Sequence, residues 1–199
     1  RTDGGAPAYS DAVATYLGMT VSRQADLGNS LCRWEPNAEC PRQLFARQAI
    51  PMVWDFAEGN PLGSSSGSWQ VLLNGAQRAF SGQAFNLGKT PAGEISQANA
   101  MDRDYAGVLI STDPPYYDNI GYSDLSDFFY VWLRRSLRTT YPNLLSTILV
   151  PKAAELVANP HRHQGKRGAE KFFESGFREV FALARVSALA DFPITVYYA

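Results

Sequence analysis

The sequence predicts an α/β fold for its second half, built on a strand, a helical crossover and a second strand. Residues 108–110 are a short apolar run with two β-branched side chains, which is typical of a buried strand. Residues 169–190 carry phenylalanines at helical spacing and predict a long helix, and residues 194–198 predict another buried strand. Because such a crossover joins parallel strands, we expect the last strand to pair parallel to the first.

Apolar side chains at helical spacing predict further helices, most of them in the first third of the chain. These helices are expected over residues 7–28, 42–48, 51–58, 69–80 and 123–141. Gly28 favours the end of the first, and Ser68 is a good N-cap for the fourth. Trp54, flanked by apolar residues, is predicted to lie in the core.

Length and composition are those of one globular domain. The 199 residues are 45% hydrophobic and can bury a core, with residues 1–90 mainly helical and residues 91–199 forming the α/β part. The net charge of -1 gives no overall attraction to nucleic acid, so a DNA-binding surface would need locally concentrated cations. No signal peptide or long apolar run is present, which favours a cytoplasmic protein without a membrane partner.

The two cysteines, Cys32 and Cys40, do not have the spacing of a zinc site. We expect reduced thiols, with a disulfide between them as the alternative. The two histidines, His161 and His163, have no cysteine or carboxylate close by in the sequence, so no metal site is predicted.

The chain turns sharply after the first predicted strand, at Asp113-Pro114-Pro115-Tyr116. Two consecutive prolines cannot continue a sheet ladder, and they fix an extended, rigid exit from the strand. Ligands of open α/β sheets bind at the carboxyl ends of the strands. A stiff corner with a carboxylate before it and an aromatic ring after it is therefore the candidate site.

This tetrapeptide resembles motif IV of the DNA amino-methyltransferases, which methylate N6 of adenine or N4 of cytosine with S-adenosylmethionine. An exocyclic amine is a poor nucleophile because its lone pair is delocalised into the ring. The resemblance implies that the Asp113 carboxylate and the Pro114 carbonyl accept both amine hydrogens, with Pro115 fixing their geometry. Tyr116 would be the face on which a flipped-out base stacks.

Longer segments resemble one group of these enzymes, the prokaryotic adenine-specific DNA methylases that carry a DUF1156 domain. The similar segments are residues 113–135, 47–61, 148–157 and 193–199. The resemblance implies a Rossmann-like methyltransferase fold, S-adenosylmethionine as cofactor, DNA as partner and adenine as the preferred base. The glycine-rich motif I and its strand are absent, so we expect an incomplete fold. The chain would be the C-terminal catalytic portion of a longer enzyme, possessing no activity alone and needing the upstream portion of the same polypeptide.

The resemblance also implies roles outside the corner. Asn99 and Asp102 stand where motif III would approach the cofactor adenine, although a turn-forming aspartate is the alternative. Tyr117, Asp118 and Asn119 would shape the wall of the base pocket. Independently of the resemblance, residues 159–168 form a locally basic loop, which predicts phosphate contacts. The candidate nucleic-acid contacts are Lys152, Arg162, His163, Lys166 and Arg167. A solvated flexible loop is the alternative for the basic residues.

Two other functions fit the same residues. Related corners that begin with asparagine occur in methyltransferases acting on RNA bases or on protein glutamine, and Asp113 favours the DNA group. Without motif I, the chain could instead be a non-catalytic nucleic-acid-binding module that keeps the base pocket. Cofactor binding separates this module from an enzyme.

Overall fold

The computed structural model describes residues 6–84, 93–118 and 120–198. Within these residues the chain forms four helices and four short strands, divided between two compact units. The first unit comprises Arg1–Glu94 and Leu125–Val150, and the second comprises Ile95–Asp124 and Pro151–Ala199. Residues 125–150 thus interrupt the α/β part predicted over 91–199. Of the helices in the described ranges, none combines the length and apolar character that crossing a membrane requires.

Two helices of the first unit follow the predicted pattern. Helix α1, Pro7–Leu27, begins at a proline and ends before Gly28, whose N–H donates to the carbonyl of Gln24 at 2.7 Å. Helix α2, Trp69–Ala84, begins after Ser68, whose Oγ accepts the N–H of Val71 at 3.4 Å. The N-cap predicted at Ser68 is therefore confirmed.

The segment between these helices differs from the prediction. Strands β1, Arg33–Glu35, and β2, Cys40–Arg42, form an antiparallel pair, and no helix forms over 43–58. The predicted helices there are wrong, and so is the core position of Trp54, whose side chain is fully exposed. The reason is length, because only nine residues separate consecutive prolines here, too few for a stable helix without a packed face. Both cysteines are free thiols, as predicted, and burial raises the pKa of Cys32.

Helix α3, Tyr122–Leu137, follows the corner and ends earlier than predicted. In the first unit its buried residues Tyr130 and Leu137 pack with Leu145. The Tyr130 hydroxyl lies 2.8 Å from Thr147 Oγ1, so the polar end of this core aromatic is satisfied. A β-carbon added at Gly18 would lie 2.8 Å from Leu137 Cδ1, and this glycine therefore lets α1 approach α3 closely.

The second unit contains the predicted strand, helix, strand unit. Strand β3, Ser111–Thr112, pairs parallel to strand β4, Thr195–Val196, and helix α4, Lys166–Ser187, lies between them in sequence. The parallel pairing is confirmed. The position predicted for the first strand is wrong, because residues 108–110 precede β3 and form no strand. The predicted burial is also wrong, since Leu109 is 58% exposed and Val196, in β4, is 41% exposed. Among the described residues this sheet has only two strands, and its faces are not covered as those of a wider sheet are.

Helix α4 is fixed by a small core and by close approach at two glycines. Phe173 on α4 packs against Ala158 and Ala169 in a buried cluster. A β-carbon at Gly176 would lie 2.3 Å from Leu156 Cδ1, and one at Gly168 would lie 1.8 Å from the carbonyl oxygen of His163. Helix α4 therefore lies directly on the segment that precedes it.

Candidate active site

The proline corner leaves the sheet at the end of β3. The N–H of Tyr197 donates to the Thr112 carbonyl at 2.8 Å, which is the last hydrogen bond of the parallel pair before Asp113. The Tyr116 hydroxyl then donates to Asp113 Oδ1 at 3.1 Å. This bond to the Asp113 carboxylate, with the charge of that carboxylate, raises the pKa of Tyr116. The Asp113 carboxylate and the Tyr116 ring, which flank the two prolines, are thus joined by a hydrogen bond before any substrate binds.

Tyr117 makes a different set of contacts from Tyr116. Its φ of 24° lies in the left-handed region, and its carbonyl accepts the N–H of Ala158 at 2.9 Å. Its ring lies edge-on to Phe173 with centroids 5.1 Å apart, and desolvation and the nearby Glu170 carboxylate raise the pKa of its hydroxyl. Tyr117 is therefore an anchor in the core of the second unit, where the sequence predicted a pocket wall.

The corner borders two cavities within the second unit. The larger has a volume of about 810 Å³, and the smaller, called here the corner cavity, about 280 Å³. The corner cavity is lined by Asp113, Pro114, Pro115, Tyr116 and Tyr122. Asp113 and both prolines line the larger cavity as well, so one rigid segment separates the two. Asp118 is exposed and lines neither, and Asn119 lies outside the described residues.

The larger cavity combines an apolar wall with a polar rim. Helix α4 contributes apolar side chains that include Phe177 and Val180, and the segment before β3 contributes Asn99 and Arg103. Asn99 Oδ1 accepts the N–H of Met101 at 3.1 Å, and its Nδ2 donates to Asp102 Oδ2 at 3.2 Å. Of the two predicted cofactor residues, Asn99 lines this cavity and Asp102 only supports its turn.

A charged cluster that the sequence did not predict holds the start of α3. Glu155 accepts the Ser123 N–H at 2.8 Å and the Ser123 hydroxyl at 2.5 Å. Arg162 donates to Glu155 Oε2 at 2.6 Å and to Asp124 Oδ2 at 2.5 Å. A carboxylate at a helix N-terminus satisfies N–H groups that lack partners inside the helix and complements the helix dipole. The sequence predicted that a helix starts at Ser123, but it did not predict that Glu155, 32 residues later, would cap that helix.

The predicted nucleic-acid residues lie in different environments. Arg162 has its guanidinium committed to two carboxylates, and the His163 ring stacks on Phe172 with centroids 3.9 Å apart. Lys152 Nζ approaches the Ser123 carbonyl at 3.5 Å. Lys166 and Arg167, in the first turn of α4, are exposed and remain the predicted phosphate contacts.

The Glu155 cluster predicts a pH dependence of stability. Burial works to raise the pKa of Glu155, but hydrogen bonds from Ser123 and Arg162 outweigh it and lower this pKa below its usual value. A depressed pKa stabilises the fold above the ordinary carboxyl range, and the contribution is lost as pH falls through the folded-state value. We expect the melting temperature of the wild type to exceed that of Glu155→Gln at neutral pH, with the difference closing as pH falls through and below the ordinary carboxyl range. A gap that stays constant over this range would contradict the assignment.

In the described part of the chain, no group of three histidine, cysteine or carboxylate side chains is arranged to hold a metal ion. Comparison with protein-family models, with curated proteins and with solved structures finds no match. The chemical groups at the corner are the Asp113 carboxylate, a backbone carbonyl held by the two prolines, and the aromatic ring of Tyr116 beside them.

Proposed function

We propose that this chain carries the catalytic corner of an S-adenosylmethionine-dependent DNA methyltransferase acting on the N6 amine of adenine. The observation that supports it is the position of Asp113, Pro114 and Pro115 between two cavities. A group transferase needs a donor site and an acceptor site that meet at one place. The larger cavity suits the donor and the corner cavity suits a single base, being slightly below the roughly 300–1,000 Å³ of most ligand pockets.

At the corner the protein acts by holding the amine. The Tyr116 hydroxyl already donates a hydrogen bond to Asp113 Oδ1. The other carboxylate oxygen of Asp113 and the Pro114 carbonyl therefore accept the two amine hydrogens. Both acceptors are fixed before the substrate arrives, and they turn the nitrogen lone pair out of conjugation with the ring. Tyr116 binds the face of the base, and its own ring is supported edge-on by Tyr198 with centroids 5.6 Å apart.

The chemistry of the larger cavity fits S-adenosylmethionine. The apolar wall of α4 at Phe177 and Val180 would receive the adenine ring, and Asn99 and Arg103 offer donors for polar groups. Bound there, the cofactor supplies an electrophilic methyl group.

Cofactor binding by this chain can be measured by calorimetric titration of S-adenosylmethionine. We expect stoichiometric binding that is abolished by Val180→Trp, because the indole would intrude into the apolar part of the larger cavity where the cofactor is proposed to bind. Val186→Trp is the matched control, since Val186 is on the same helix but 86% exposed and away from the cavity. If Val180→Trp still binds S-adenosylmethionine, the cofactor binds outside the larger cavity. If the folded wild-type chain does not bind it, the donor site proposed here is wrong.

The role of Tyr116 can be tested by separating its ring from its hydroxyl. Tyr116→Phe loses only the hydrogen bond to Asp113, so DNA affinity should fall less than about tenfold. Tyr116→Ala loses the stacking face together with the contact to Tyr198, so DNA affinity should fall further, by about 5- to 100-fold. Equal losses in both variants would show that the hydroxyl, and not the stacking surface, carries the function.

A further inference from the structure

The corner cavity has a second aromatic residue in its lining. Tyr122 lines it together with Tyr116, and no other aromatic side chain among the described residues does so. The two tyrosines are close enough that Tyr122 adds to the raised pKa of Tyr116, after the larger effect of Asp113. A cavity of about 280 Å³ with an aromatic ring from each of two elements suits a flat ring held between two faces.

The position of Tyr122 is set by its neighbour in sequence. Tyr122 is the first residue of α3, and Ser123 after it is only 5% exposed. Glu155 binds both the N–H and the hydroxyl of Ser123, and Arg162 holds Glu155 in turn, with side chains 12% and 19% exposed respectively. Two hydrogen bonds to one residue fix both its backbone and its χ1 rotamer.

We propose that Tyr122 is a base-binding residue opposite Tyr116, and that Glu155 is the positioning residue that fixes it through Ser123. The inference rests on the proposed function for its substrate, an unpaired adenine. It adds a second stacking face to the site. It also means that the Glu155–Arg162 pair contributes to substrate binding indirectly, by positioning Tyr122. Glu155 itself does not contact the base.

The test is binding of a fluorescein-labelled DNA duplex whose central adenine lies opposite an abasic site, measured by fluorescence anisotropy. The reference is the same duplex with that adenine also removed, so the ratio of the two affinities reports the unpaired base alone. An adenine that lacks a base-pairing partner requires the least energy to flip out of the duplex. We expect Tyr122→Ala to reduce this ratio by about 5- to 100-fold, with Tyr122→Phe keeping it. Tyr197→Ala, an exposed tyrosine that lines neither cavity, should have no effect.

Glu155 is tested through a double-mutant cycle. Glu155→Gln keeps one acceptor oxygen for Ser123 but loses the charge that holds Arg162, so the adenine preference should fall several-fold. Because Glu155 acts through Tyr122, the same change made in the Tyr122→Ala background should lower the preference no further. Glu179→Gln, an exposed carboxylate on α4, is the matched control.

The outcomes separate this inference from the proposed function. If wild type prefers the adenine duplex and Tyr122→Ala keeps that preference, the inference is overturned while the base pocket at the corner stands. If Glu155→Gln and Tyr122→Ala act additively, Glu155 is not a positioning residue for Tyr122. If wild type has no preference for the unpaired adenine, the base pocket itself is wrong and both proposals fall.

Discussion

Asp113→Ala, made in the full-length enzyme that the sequence resemblance implies, is expected to abolish methyl transfer to DNA, with a loss in kcat of at least about 100-fold. Asp113 is one of only two groups proposed to hold the amine, and the other is the backbone carbonyl of Pro114. Removing the carboxylate leaves one amine hydrogen without an acceptor, so the nitrogen lone pair stays conjugated with the ring. Transfer of labelled methyl groups to an adenine-containing duplex measures the effect.

Binding measurements and matched variants make this test specific to Asp113. S-adenosylmethionine affinity should change little in Asp113→Ala, because most of the larger cavity is lined by other residues. Asp113→Asn should lose less activity, since an amide oxygen still accepts one hydrogen. Asp191→Ala, which removes an exposed carboxylate of the same unit, should leave activity unchanged. Near-wild-type turnover in Asp113→Ala would remove Asp113 from the mechanism.

Gly168→Ala is expected to be the most destabilising single-methyl addition in the second unit. Alanine in place of glycine inside a helix normally stabilises by about 0.5–1 kcal/mol. Here the new methyl carbon would lie 1.8 Å from the carbonyl oxygen of His163, and a backbone atom cannot move aside as a side-chain end can. Helix α4 would have to shift away from the preceding loop, so we expect a net loss of about 2 kcal/mol or more.

The comparison variant for this effect is Gly82→Ala. Gly82 lies inside α2, and a β-carbon there would meet nothing within 4 Å. It should therefore show the ordinary stabilisation that a helix gains from alanine. Thermal melts followed by circular dichroism give both values. Equal shifts in the two variants would contradict the close approach between Gly168 and His163.

The long helices were predictable because their signals are local. Helices α1 and α4 carry their apolar spacing in consecutive turns, and Ser68 caps α2 from the adjacent position. The stop at Gly28 follows from an equally local rule. The parallel pairing of β3 with β4 is not local, but it follows from the general rule for a strand, helix and strand joined in sequence. The Rossmann-like fold and the methyltransferase activity remain predictions from the resemblance of the corner.

What the sequence did not predict depends on partners distant in the chain. Apolar runs such as residues 108–110 read as buried strands, yet burial requires neighbouring strands that the described residues do not provide. Tyr116 and Tyr117 are identical in type and adjacent, and only the pairing of Tyr117 with Ala158 and Phe173 assigns one to the cavity and the other to the core. The Glu155 cap on α3 is likewise invisible to local patterns.

The pairing of β3 with β4 also sets an order of assembly while the ribosome makes the chain. The Thr112 carbonyl receives its hydrogen bond from Tyr197, and the Tyr116 ring leans on Tyr198. Tyr197 and Tyr198 leave the ribosome only after all of α4 has been made. Until then Thr112 lacks the hydrogen bond from Tyr197, and the Tyr116 ring lacks its contact with Tyr198. Parallel pairing across so long a stretch is also slow to form. A growing chain would therefore fold its helices first, and the corner would reach its final geometry only when β4 pairs with β3. Under the proposed function, an unfinished chain would lack a formed base-binding site.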